Sequence, residues 1–142
     1  MHKLSPKIVE FIQEHHVLVL ATVNEINESA SCSLFYTFDE DEISFVFASD
    51  EKTEHMQNIS KNRKVSVSIH FETKEVGTIR GLQVKAEVTE GNKEDKQSYL
   101  KAFPYARVMP SLHVWSMRVD SLKYTDNRLG FGKKETWERV SV

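Results

Sequence analysis

Apolar and polar positions alternate in blocks along this chain, and the period changes from block to block. Ile8, Phe11, Ile12 and His15 recur at helical spacing behind Ser5 and Pro6. A capping hydroxyl followed by proline at the first helical position predicts a short amphipathic helix over about residues 5–15. "VLVLATV" (Val17 to Val23) is a β-branched run with the composition of a central strand covered on both faces. Ala30, Cys32, Leu34, Tyr36 and Phe38 then alternate with Ser29, Ser31, Ser33, Phe35 and Thr37, giving one apolar face and one mostly hydroxyl face. After the acidic turn Asp39 to Glu42, "ISFVFA" (Ile43 to Ala48) runs back as the second arm of a hairpin.

"FASDEKTEH" (Phe47 to His55) breaks that strand and opens a helix with Met56 and Ile59 inward and Asn62 near its end. "VSVSIHF" (Val65 to Phe71) is the cleanest period-two segment. Thr78 to Glu90 carries a longer strand signal in which Gly81 marks a bulge or a close backbone approach. Asn92 caps a helix that turns Tyr99, Leu100 and Phe103 inward and ends at Pro104. His113 to Tyr124 alternates again, and Asp126 to Gly132 turns the chain into a last strand ending near Val140. Six or seven short strands in hairpin order with three helices describe a mainly β fold, a small antiparallel barrel decorated by helices, in one domain over residues 1–142.

The charge balance removes two classes of partner. A net charge of −2 with 28% charged residues leaves no basic excess for nucleic acid or an anionic membrane surface. One cysteine, Cys32, permits no internal disulfide, and no stretch is apolar and long enough for export or for spanning a bilayer. The cytoplasm is the expected location.

Candidate chemistry is concentrated at two places. The helix start at Ser49, Lys52, Thr53 and His55 offers hydroxyl and cationic donors beside unpaired backbone amides, a seat for phosphate or carboxylate. The competing reading is a plain cap by Ser49 or Asp50, since Asp50, Glu51 and Glu54 complement the helix dipole and repel an anion. "GFGKK" (Gly130 to Lys134) combines backbone access with Lys133 and Lys134, or is a hairpin turn with solvated lysines. His15 and His16 are adjacent on a helix and cannot share a metal, so no metal site is expected. Cys32, Trp115 and Trp137 read as packing residues, and no side chain is singled out as catalytic.

The order of these pieces resembles a known family. The hairpin through "YTFDEDEISFVFAS" and the segment "TEHMQNISKNRKVSVSI" resemble the pyridoxamine 5'-phosphate oxidase-like FMN-binding split barrels. "IRGLQVKAEV", "FPYARV" and "LKYTDNRLGFGKK" followed by Trp137 are similar to its YhbP-type branch, whose reaction is not established, over roughly Val19 to Arg139. The resemblance implies a six-stranded antiparallel split barrel and a homodimer with FMN in each of two grooves between the subunits. It implies that Ala48, Ser49, Lys52, Thr53 and His55 hold the flavin phosphate. The family's hydroxyl-arginine-lysine pattern falls on Thr53, Glu54 and His55, so an acid and a histidine stand where two cations are usual, and Lys52, the helix N-terminus, and Lys133 or Lys134 are the candidates to compensate. The segment containing Ser31, Cys32, Ser33 and Tyr36 would edge the flavin ring, with Gln83 as a further ring contact and His55, His70 and Tyr36 as the titratable or hydroxyl groups nearest the groove. The implied activity is oxidation or reduction of a small molecule at FMN. The alternatives are a non-catalytic carrier or sensor of flavin or haem, and a homodimer whose groove serves protein interaction.

Overall fold

One bent strand joins the two ends of the sheet. The computed structural model describes residues 2–109 and 111–140, so the ends of the expected domain fall outside the described residues. In order these residues form α1 (Pro6–Glu14), β1 (Val17–Val23), β2 (Ser29–Phe35), β3 (Thr37–Asp39), β4 (Ser44–Ala48), α2 (Glu54–Lys61) and β5 (Lys64–His70). There follow β6 (Arg80–Glu90), α3 (Lys93–Ala102), β7 (Val114–Asp126) and β8 (Lys134–Glu138), with single 3-10 turns at Val76–Thr78, Pro104–Val108 and Asn127–Leu129. All pairings are antiparallel and the strand order is β2-β1-β5-β6-β7-β4-β3, with β8 also on β7. Because β2 and β3 are consecutive, the chain that borders β1 also borders β4.

The bend is at Tyr36. Its amide donates to the His16 carbonyl at 3.0 Å and its hydroxyl donates to the Ile12 carbonyl at 2.6 Å, which ties the corner to α1. The expected single strand through Phe38 is therefore two strands, which is one reason the sheet has eight strands and not six. β4 and β8 share the other long edge of β7, pairing with residues 114–118 and 121–125. Arg139 fills the gap between them: its guanidinium donates to the carbonyls of Val119, Glu42 and Ile43 at 2.8–2.9 Å.

The inner face is continuous and apolar. Leu18 and Leu20, Val65, Val67 and Ile69, Leu82, Val84, Ala86 and Val88, Phe45 and Phe47 all point into it. α1 contributes Ile8, Phe11 and Ile12, and α2 contributes Met56 and Ile59. A smaller apolar cluster of Val46, Tyr99, Ala106 and Val114 lies under α3.

Four local expectations are corrected. β1 is buried on one face only, because the sheet is a single layer and Val19 and Ala21 point outward. Ser5 stands at the start of α1 but its hydroxyl makes no capping bond. Gly81 lies in regular register opposite His70. The irregularity falls instead between Lys85 and Ala86, whose partners are Ser121 and Val119, leaving Asp120 as the extra residue on β7. That extra residue moves the buried positions from Met117 and Val119 to Leu122 and Tyr124, keeping both halves of the long strand facing the core. Ile43, expected in the strand, sits just before it with a positive φ of 53°.

Candidate functional site

The corner where β4 passes into α2 gathers hydroxyls, an imidazole and open amides. Asp50 folds the connection: its carboxylate accepts from the Lys52 amide at 2.8 Å and its carbonyl from the Thr53 amide at 3.2 Å. Thr53, not Ser49 or Asp50, is the cap, its Oγ1 accepting from the Met56 amide at 3.3 Å. With Gln57 bonded back to the Thr53 carbonyl, the amides of Glu54 and His55 have no partner among the described residues. They are the open donors of the helix start, where the dipole is positive.

Ser49 and Thr53 bracket the histidine. His55 Nε2 lies 2.7 Å from Ser49 Oγ and 3.2 Å from Thr53 Oγ1. Ser49 is itself fixed by β7, its amide donating to the His113 carbonyl at 3.1 Å and its carbonyl accepting from Trp115 Nε1 at 3.0 Å. The sequence reading of Trp115 as plain packing misses this tie, which joins residues 66 apart. Burial holds the His55 imidazole below its ordinary pKa, with the nearby Glu54 charge pulling the other way. At neutral pH the ring is therefore uncharged and supplies polarity without fixed charge.

The sign of the resulting pH effect follows from the lowered pKa. The unfolded chain takes up the proton first, at about pH 6.5, so His55 costs the fold nothing above that pH and an increasing amount as the pH falls toward its folded value. Thermal unfolding of the native chain and of His55→Gln at pH 7.5 and 5.5 reads this directly. The native protein is expected to lose more melting temperature on acidification than the variant. Parallel losses would show that this histidine does not carry the effect.

Beside this corner His113 is clamped. Its Nδ1 faces a Glu51 carboxylate oxygen at 3.0 Å and its Nε2 faces Glu90 at 3.1 Å, while its ring stacks on Trp115 at 4.1 Å. Ligand atoms of these three residues lie within 4.8 Å of one another. Each ring nitrogen already faces a carboxylate oxygen, and we assign no metal to the group. No local signal pointed to the group, because its members come from three separate segments.

The other expected site residues lie elsewhere. Ala48 ends β4 beside the corner, paired with Val114. Lys52 is exposed next to it. Ser31 and Ser33 point outward from β2 and are exposed, whereas Cys32 points inward with its thiol pKa raised by burial. Tyr36 is buried, its hydroxyl already donating to Ile12 and held well above its ordinary pKa by desolvation. His70 lies at the end of β5 on the exposed face.

Gln83 shares the outer face with Ser33 through the row Ser33, Val19, Ser68, Gln83, Lys123. Three strand spacings separate Ser33 from Gln83, roughly 14 Å. This row crosses an open hollow of about 530 Å³ whose walls include Ser66, Ser68, Lys85 and Trp137. Lys133 and Lys134 are at the turn into β8, around a small cavity with Lys7, Tyr124 and Asp126. Asp126 itself is held below the ordinary carboxylate range chiefly by the bidentate Arg128 guanidinium. A single chain thus brings Ala48, Ser49, Lys52, Thr53 and His55 together, and leaves Gln83 and the two lysines on other parts of the surface.

Comparison with known proteins places this geometry in context. The family model described as pyridoxamine 5'-phosphate oxidase matches residues 4–126. The UPF0306 protein YhbP of Salmonella arizonae is 38% identical over 138 residues, covering 94% of this chain and 92% of that one. Among solved structures, ChuZ of Campylobacter jejuni superposes with a TM-score of 0.76 at 16% identity, covering 93% of this chain and 58% of its own. A heme binding protein from Mycobacterium smegmatis gives 0.74 at 16% identity, covering 95% and 59%. This chain spans under two thirds of the length of either structure, and at that identity it is the split-barrel fold that is shared. Among the described residues no helix is long and apolar enough to cross a membrane.

Proposed function

We propose that this chain, which belongs to the pyridoxamine 5'-phosphate oxidase family, is a flavoprotein that seats the FMN phosphate at the Ser49–His55 corner. The observation that carries the reading is the convergence there of two unpartnered helix-start amides, the Ser49 and Thr53 hydroxyls and the His55 ring. The amides and the Ser49 hydroxyl fit a phosphate monoester, and the Thr53 hydroxyl joins them by turning its proton from the Asp50 carbonyl it meets at 3.0 Å; the Glu54 carboxylate opposes it. When bound, FMN supplies electron transfer to or from a small molecule. The chain's part is to fix the phosphate, offer Ser31 and Ser33 toward the ring, and orient what lies above it.

A homodimer completes the proposal. The outer sheet face carrying Ser33, Ser68 and Gln83 is the natural meeting surface, because a second copy laid on it would supply the groups that one chain holds apart from the corner. Titration of the purified protein with FMN, read by quenching of flavin fluorescence, tests the site. Ser49→Ala combined with Thr53→Ala is expected to weaken binding by about thirtyfold, two lost bonds of roughly 1 kcal/mol each. Riboflavin, which lacks the phosphate, should bind both proteins alike. Failure of the native chain to bind FMN, or an unchanged affinity in the double variant, would remove the assignment.

The solved neighbour named for heme binding supports a second reading, the same fold used as a carrier for haem. An absorption spectrum of the protein as purified separates the two. A Soret band points to the carrier and flavin bands to the first reading.

A further inference from the structure

The turn from β6 into α3, the α3 face and the start of β7 enclose a groove of about 780 Å³ that the flavin reading does not use. Its floor is apolar, formed by Leu100, Ala106, Leu112 and Val114 of the second cluster. Its rim carries three cations, Lys93 and Lys96 from α3 and Arg107 from the Pro104–Val108 turn. None of the three side chains makes an ion pair or hydrogen bond among the described residues, whereas the lining carboxylate Glu90 faces His113 at 3.1 Å.

The wall is closely packed. The Gly91 amide donates to the Val114 carbonyl at 3.0 Å, and a Cβ on Gly91 would stand 2.7 Å from Val114 Cγ2 and 2.8 Å from that carbonyl. Any side chain at Gly91 would push this wall apart. Lys93 and Lys96 stand in the first turn of α3 beside Glu94 and Asp95, which complement the helix dipole, Asp95 also accepting from the Asn92 amide at 2.9 Å. An anion held in the groove would gain from the unpaired cations of the rim.

We propose that this groove binds a small organic acid with an apolar body, an aryl or alkyl carboxylate whose hydrophobic part lies on Leu100 and Leu112 and whose charge meets Lys96 and Arg107. The volume is in the range that encloses small ligands, and an apolar floor under a cationic rim selects an amphiphilic monoanion over a sugar or a free phosphate. The proposal stands apart from the FMN reading, since neither the corner hydroxyls nor His55 line the groove.

The probe is naphthoate, followed by amide NMR on the full chain at fixed ionic strength. Saturable shifts are expected at the amides of residues 91–96, 106–109 and 111–114. Uncharged naphthamide and the Lys96→Glu, Arg107→Glu double variant should each bind at least about tenfold more weakly. Both substituted side chains are exposed and unpaired, so an unchanged native amide spectrum outside the groove is expected to show that the variant stays folded. Absent or scattered shifts up to about 5 mM naphthoate, equal binding of the amide, or full binding by the charge-reversed variant would overturn the proposal. So would shifts at the same amides that follow protein concentration without probe, because a second copy would then occupy the groove.

Discussion

Glu54→Arg combined with His55→Lys is expected to tighten the proposed FMN binding by roughly two to three orders of magnitude. The family's pattern, as the sequence resemblance gives it, has arginine and lysine at these two positions. Here Glu54 occupies the first helical position, exposed, with its charge beside the open amides. A phosphate monoester carries about 1.5 to 2 negative charges at pH 7, so the native corner sets one carboxylate against it and offers no fixed cation except Lys52. Arginine at 54 removes the repulsion and adds a bidentate donor, and lysine at 55 replaces a ring kept neutral by burial. At about 1.5–3 kcal/mol for each hydrogen bond to a charged group, less the lost Ser49 bond and a small loss of helix-dipole stabilisation, about 3–4 kcal/mol remains. Glu54→Gln alone should deliver about the first tenfold, by removing repulsion without adding a donor. The gain should shrink as salt is raised, because the added charges are partly screened. Equilibrium quenching titrations of native, single and double variants in a salt series measure all of this. An affinity indifferent to both substitutions would mean that the phosphate does not sit at this helix start.

The same position explains why the site is only half readable from the chain. That "FASDEKTEH" opens a helix with hydroxyls and a histidine gathered at its start follows from a strand pattern stopping at hydroxyls and charge. Which hydroxyl caps does not follow. Ser49, Asp50 and Thr53 are all good caps by type, and the choice is made by the Asp50 turn, which places Thr53 at the helix start. Nor could local pattern find Trp115 Nε1 on the Ser49 carbonyl or His113 between Glu51 and Glu90, since those contacts exist only once β4 pairs with β7.

The fold was more legible, because most of it is written in alternation. Val65, Val67 and Ile69 are buried as the period-two pattern requires, whereas Phe71, placed on the same face, lies past the end of β5 and is exposed. Even the displaced bulge left a trace: apolar residues fall at Met117 and Val119 and then at Leu122 and Tyr124, a change of phase that requires one extra residue near Asp120. Gly81 drew attention away from it because glycine is the usual sign of a bulge, yet no side chain or backbone crowds that position. The hydroxyl face of β2 was correctly paired against an apolar one, but whether it meets solvent, ligand or another copy is not a property of one strand. The same holds for β1, whose outward Val19 and Ala21 gave it the composition of a strand covered on both sides.

Phe45→Ala is expected to lose about 3–5 kcal/mol of unfolding free energy, the usual cost of deleting a fully buried phenyl ring. Phe45 is 0% exposed, and its ring meets Tyr36 edge-on at 5.3 Å and Phe38 at 4.9 Å. It pairs with Phe38 of β3 on one side and with Met117 of β7 on the other, so it sits where the bent strand returns to the sheet. Collapse into the space left by alanine is resisted on both sides, by the Tyr36 hydroxyl bond to Ile12 and by the β4 to β7 ladder. The cost should therefore lie in the upper part of the range. For a domain of ordinary stability, roughly 5–15 kcal/mol, that is a large fraction of the total. Urea unfolding should show a lower midpoint with an unchanged slope, since the folded shape persists while its stability falls. Phe45→Leu, which keeps most of the volume and all of the apolarity, is expected to cost about a third as much. If alanine and leucine cost the same, the ring contacts with Tyr36 and Phe38 would not be what holds the closure, and the restraint on the bend would have to come from the Tyr36 hydrogen bonds to His16 and Ile12.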